Sequence, residues 1–112
     1  MKRYGLVIGV REEKLAEYKR LHANVWPEVD AMIGECNIRN FTIFLRKLPD
    51  GKHYLFCYFE YVGADYDADM KKMAADSMTQ KWWALTDPCQ EPLPDRRLGE
   101  KWAAMAEVVH HH

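Results

Sequence analysis

No run of apolar residues in this 112-residue chain approaches the length of a membrane-spanning helix. The first ten residues, MKRYGLVIGV, have the basic start and apolar run of a secretory leader. Arg11-Glu12-Glu13-Lys14 follow at once, however, and no small-residue cleavage site stands before them, so the segment is read as part of the fold. Cysteine is scarce. Cys36, Cys57 and Cys89 are odd in number and form no C-x-x-C pair, which argues against a disulfide framework and a zinc knuckle and favours a reducing cytoplasm. Charge of one sign is missing too: 29% of residues are charged, yet the formal net charge is -1. No basic footprint for nucleic acid results. Also absent are a glycine-rich phosphate loop, the H-E-x-x-H and EF-hand spacings and a nucleophile elbow. Proton transfer with no metal and no cofactor is the simplest chemistry left.

What is present organises as one domain, residues 1–109, followed by His110-His111-His112, a tract with the look of an affinity-tag remnant that is set aside from metal reasoning. A chain of this size buries a core without staples. YGLVIGV (4–10) is apolar on both faces and predicts a strand central in a sheet. REEKLAEYKRLHANV predicts a helix with Leu15, Tyr18 and His22 on one stripe. Pro27 disfavours helical dihedrals at Trp26 and opens a second helix, PEVDAMIGEC, with Glu28 and Asp30 in its first turn and Val29, Met32 and Ile33 facing inward. IRNFTIFLRKL and KHYLFCYFEYV are aromatic and β-branched runs joined by Pro49-Asp50-Gly51, a hairpin signal. Two more helices follow, DYDADMKKMAA and SMTQKWWALTD, the latter with Ser77 and Gln80 spaced as a capping box. PCQEPLPDRRLGE reads as a loop. KWAAMAEVVH reads as a strand because it completes a β-α-β-β-α-β unit.

The fold class is therefore α+β, a ferredoxin-like sandwich with one antiparallel sheet and its helices on one face. Alternate residues of FTIFL and LFCYFEY load the other face with more aromatic surface than water tolerates, so a second subunit or a small-molecule pocket covers it.

Four places carry candidate chemistry. His22 exchanges protons near neutral pH without a large shift, and Tyr18, one helical turn earlier, faces the same ligand. The plain alternative is a half-buried helix histidine satisfied by a backbone carbonyl. Trp82 and Trp83 point about 100° apart on a helix, so one packs inward while the other lines a rim, where indole faces and N–H groups suit a sugar. Core plus interface is an equal reading. Asp87, before Pro88, either holds a substrate hydroxyl or starts a turn. Asn40 either presents its amide to a pocket or serves turn chemistry.

EYKRLHANVWPEV, NFTIFL, QKWWALTD and the closing EVVH resemble the L-rhamnose mutarotases, in the same order and with similar spacing over nearly the whole chain. The resemblance implies a homodimeric α+β barrel built from two ferredoxin-like sheets, acting without metal or cofactor on a monosaccharide. The implied reaction interconverts the α and β anomers of a 6-deoxy-hexopyranose. It further implies that His22 is the catalytic proton donor and that Tyr18, Trp82 and Trp83 contact the sugar. With Trp26 closing the side of the cavity, the helix break in EYKRLHANVWPEV then sets Tyr18 and His22 at its mouth. Where the family shows Asn-Tyr, this chain has Asn40-Phe41, so a phenol that binds a sugar hydroxyl is absent and L-fucose competes with L-rhamnose as substrate. Two other readings stand beside these: a cofactor-free monooxygenase or haem-degrading enzyme of the same barrel type, and a non-catalytic sugar-binding or oligomerisation module.

Overall fold

The computed structural model describes residues 1–112. The chain runs through β1 (Lys2–Val10), a 3-10 turn (Glu12–Lys14), α1 (Leu15–His22), α2 (Pro27–Glu35), β2 (Ile38–Lys47) and β3 (His53–Tyr61). It continues through α3 (Tyr66–Ala75), α4 (Ser77–Thr86), a second 3-10 turn (Asp87–Cys89), β4 (Gln90–Glu91) and β5 (Ala103–Met105). The sheet is antiparallel and ordered β2-β3-β1-β4, with β5 sharing the β4 edge of β1. The apolar first strand is thus central, as its two-faced hydrophobicity requires.

Register assigns each side chain to a face, since cross-strand partners point the same way. Tyr4, Leu6 and Ile8 oppose Phe59, Cys57 and Leu55, and Ile43 extends the Cys57 row. This face carries the helices. Ile8, Val10 and Leu55 pack with Tyr18 of α1 and Cys89. Cys57 and Phe59 pack with Cys36, Ile38 and Met73. The reverse face presents rows such as Val7, Phe56 and Phe44, and Phe44 is 64% exposed.

The Pro49-Asp50-Gly51 hairpin forms as its sequence dictates, with Gly51 at a φ of 83° that favours glycine. Trp26 is extended at φ -64° and ψ 134°, and Pro27 starts α2. Several details differ from expectation. The first helix is split, its opening turn tightening to 3-10 before Leu15. Nor does Ser77 cap α4. The cap is Asp76, one residue earlier, whose carboxylate accepts from the Thr79 backbone N–H at 2.9 Å and from the Thr79 hydroxyl at 2.8 Å. An acidic cap also meets the positive end of the helix dipole, which serine does not. Gln80, freed from the box, donates to the Ala74 carbonyl at 2.7 Å.

The stretch read as a single loop contains the second 3-10 turn and the two-residue β4. Pro92 and Pro94 have no N–H to continue its ladder, so the chain leaves the sheet and returns as β5. Of KWAAMAEVVH only Ala103–Met105 is strand. Gly9 permits the β4 pairing, because a Cβ there would stand 2.7 Å from the Glu91 carbonyl oxygen.

Candidate active site

A cavity of about 380 Å³ lies between the helices and the covered face of the sheet, with Tyr18, His22, Phe41, Trp82, Trp83 and Asp87 on its wall. Its lining is mostly apolar, with few polar groups converging, which is the usual make-up of a small-molecule site.

Three elements bring the site together. α1 ends at the Trp26-Pro27 break, so Tyr18 and His22, on one stripe, reach the cavity from its last turn. α4 contributes both tryptophans, and the turn that follows it contributes Asp87. The sheet contributes Phe41 through a bulge: Arg39 opposes Glu60 while Thr42 opposes Tyr58, so β2 carries one extra residue. Asn40 takes up that extra residue at φ 55°, a left-handed conformation that asparagine tolerates. Its side chain donates to Glu60 at 2.8 Å, away from the cavity wall, and Phe41 takes the inward position against Phe59 at 6.1 Å.

His22 is half-buried, and its ring is held on three sides. It stacks on Tyr18 with centroids 4.1 Å apart and meets the edge of Trp82 at 5.4 Å. Trp26 braces Trp82 at 5.3 Å from outside the lining. The His22 Nδ1 lies 3.0 Å from the Tyr18 backbone carbonyl. A carbonyl only accepts, so Nδ1 carries the hydrogen and Nε2 keeps a lone pair in the neutral ring. Burial holds the imidazole below its ordinary value, and the bond to Tyr18 opposes that in part.

Tyr18 is buried at 4% exposure. Burial pushes its phenol up to about 12, with the nearby Gln90 side chain opposing that in part, so the hydroxyl keeps its hydrogen at neutral pH. Cys57 also lines the cavity, and burial pushes its thiol up to about 12, which leaves it a weak nucleophile. Asp87 is half-exposed and paired with Lys101, so its charge is already met at the rim. No group of three or more His, Cys, Asp or Glu side chains stands placed to hold a metal ion.

Gln90, Lys101 and Trp102 also line the cavity and escaped sequence reasoning. They sit in or beside the proline-rich stretch and arrive through non-local pairing of β4 and β5 with β1. Trp102 left one signal, as a lone tryptophan next to a polar segment, and it packs against both core clusters.

The family model rhaM: L-rhamnose mutarotase matches residues 3–111. An L-rhamnose mutarotase from Oceanobacillus iheyensis is 32% identical over 95 residues, covering 85% of this chain and 86% of that protein. A UPF0734 protein of Dictyostelium discoideum is 34% identical over 100 residues, covering 84% and 75%. The crystal structure of an L-rhamnose mutarotase from Formosa agariphila superposes with a TM-score of 0.74 over 100% of both chains at 18% identity, a likeness of fold alone.

Proposed function

The chain belongs to the L-rhamnose mutarotase family, whose members are isomerases acting on carbohydrates, and on that premise we propose that it interconverts the α and β anomers of L-rhamnose without a cofactor. The observation that carries the proposal is the state of His22. Its Nδ1 is committed to the Tyr18 carbonyl, and its Nε2 is left to exchange a proton in an apolar cavity.

Ring opening breaks the C1–O5 bond and forms a C1 carbonyl. One proton must leave the anomeric oxygen and one must reach the ring oxygen. Neutral His22 accepts the first at Nε2, and the Tyr18 phenol gives up the second. The open-chain aldehyde turns about C1–C2 and recloses on its other face. His22 then returns its proton to O1, and Tyr18 recovers its own from O5. Atoms and charge balance over the cycle, and each group ends as it began. Positioned acid–base groups of this kind accelerate by about 10²–10⁴-fold, enough for a reaction that already proceeds in water. His22 thus opens the cycle as acceptor and closes it as donor.

Trp82 and Trp83 supply walls for the sugar, with Trp26 behind Trp82. Phe41 meets an apolar part of the sugar, such as the C5 methyl of a 6-deoxy hexose, and a site without a phenol there also admits L-fucose. Asp87 serves the rim through Lys101. Two copies pair through the bare sheet face around Phe44 and Phe56, a reading supported by aromatic surface that nothing in one chain covers. A reducing cytoplasm suits three free cysteines.

Polarimetry on freshly dissolved crystalline α-L-rhamnose tests the proposal. The rotation should reach its equilibrium value faster in proportion to added protein. A time course unchanged by the protein rejects it.

A further inference from the structure

One part of the cavity wall carries polar groups that two distant segments bring together. Thr86 ends α4, and Asp87 opens the turn that follows. Lys101 arrives from the far end of the chain, where Trp102 packs against both core clusters and Ala103 pairs with Val7. The Lys101 ammonium forms an ion pair with the Asp87 carboxylate, and all three residues line the cavity.

Thr86 is the telling member. A helix threonine commonly returns its hydroxyl to the carbonyl four residues back, here that of Trp82. Thr86 is only 4% exposed, yet its hydroxyl makes no such bond and no other within the protein. Nor is the oxygen sealed in the interior. Because the residue lines the cavity, the little surface it keeps opens there. Lys101 and Asp87 also have capacity to spare. The ion pair takes one ammonium hydrogen of three, and a carboxylate accepts at both oxygens. Their side chains are 40% and 50% exposed, so the pair is open to a ligand.

A paired cation and anion carry no net charge, which suits a neutral ligand better than an anion. Together with a hydroxyl they offer donors and acceptors side by side, and adjacent sugar hydroxyls, each of which donates and accepts, need both. The rest of the wall does not meet that need. On the mutarotase reading, His22 and Tyr18 take the O1–O5 edge of the ring and Phe41 takes the C5 methyl. Gln90 pairs with Val10, a core neighbour of Tyr18, and so stands at that same end. The Thr79 hydroxyl already donates to Asp76. Asp30 is exposed in the first turn of α2. Against the apolar walls, the hydroxyls on C2, C3 and C4 would be buried without partners, at a cost that Thr86, Asp87 and Lys101 remove.

We propose that Thr86, Asp87 and Lys101 form a subsite that binds the C2–C4 hydroxyls of the sugar and sets its affinity; this rests on the mutarotase reading above.

The test compares Thr86→Val and Lys101→Met with the parent in the full chain, reading anomer exchange by NMR for L-rhamnose and its 2-, 3- and 4-deoxy analogues. Each variant should raise KM for L-rhamnose by about threefold to tenfold, the loss of one hydrogen bond, with kcat kept. A loss of that size still leaves an epimer such as L-fucose measurable. At least one deoxy analogue should raise KM in the parent and do so much less in a variant, because the hydroxyl and its partner are then missing together. The two substitutions lie on separate elements, so either carries the test if the other does not fold. An unchanged KM in a folded variant overturns the proposal. So does a rise that is the same for L-rhamnose and every analogue, which a general loosening of the wall would give. If the parent exchanges no anomers, the mutarotase reading fails. Binding of L-rhamnose by equilibrium dialysis then decides the subsite: weaker binding by both variants supports it, and binding equal to the parent's, or none by the parent, overturns it.

Discussion

His22 rests its ring on that of Tyr18 at 4.1 Å and points Nδ1 at the Tyr18 carbonyl at 3.0 Å, so a single residue one turn earlier holds both a face and a nitrogen of the imidazole. The consequence is chemical. With one nitrogen committed, proton exchange falls to Nε2, and burial keeps the ring neutral further into the acid range than its ordinary value of 6.5.

That depressed value has a sign that is open to measurement. Above about pH 6.5 both folded and unfolded chains carry a neutral His22 and its contribution is fully present. As pH falls through the lower folded value, the unfolded chain binds the extra proton first and stability is lost. The parent's thermal midpoint should therefore fall more steeply between about pH 7 and pH 5 than that of His22→Gln. Equal slopes would mean that His22 is not held neutral by the fold. The acid limb of the exchange rate should likewise lie below the ordinary histidine value.

The two tryptophans should separate. Trp82 is 5% exposed and wedged between His22 and Trp26, whereas Trp83 is half-buried on the wall beside the second core cluster. Trp82→Ala should cost about 3–5 kcal/mol in a urea melt, because it empties a packed site. Trp83→Ala should melt closer to the parent and raise KM, because it removes a wall for the sugar. Identical effects on both stability and KM would contradict this division.

Much of this was legible in the chain because it is local. The four-residue spacing of Tyr18 and His22 fixes a shared face, Trp26-Pro27 fixes where α1 must stop, and Asp50-Gly51 fixes a hairpin. What escaped was long-range or turned on one residue. Gln90 and Lys101 reach the cavity only because β4 and β5 pair with β1 far back in the chain. The cap of α4 went to Asp76 rather than Ser77, where side-chain charge decided between adjacent residues that both suit an N-cap. The bulge at Asn40 has no strong sequence mark, yet it decides that Phe41 and not Asn40 lines the cavity.

Phe41 should set sugar choice. It offers no hydroxyl, so its contact is apolar and no buried partner is left unmatched when one sugar hydroxyl changes orientation. Activity on L-rhamnose should come with measurable activity on L-fucose and weaker activity on 6-hydroxy hexoses. Phe41→Tyr should narrow the range toward one sugar. Equal turnover of a 6-hydroxy hexose and its 6-deoxy counterpart would show that the methyl is not read at that position.

The bare face of the sheet should be an interface. Phe44, Phe56 and Val7 form one row across three strands, and stable interfaces bury about 1,200–2,000 Å² in total. Sedimentation equilibrium at micromolar concentration should give a dimer for the parent and a monomer for Phe44→Glu. A monomeric parent would leave that aromatic surface without an explanation.

Saturation-transfer NMR on L-rhamnose at anomeric equilibrium, with parent and His22→Ala side by side, bears most directly on the central claim. Irradiating one anomeric proton should diminish the other in the presence of the parent. His22→Ala should fold as the parent does and lose about 10²-fold or more of that transfer. Transfer by His22→Ala equal to the parent's would contradict the account, since the proton would then be moving without the Nε2 that the fold leaves free.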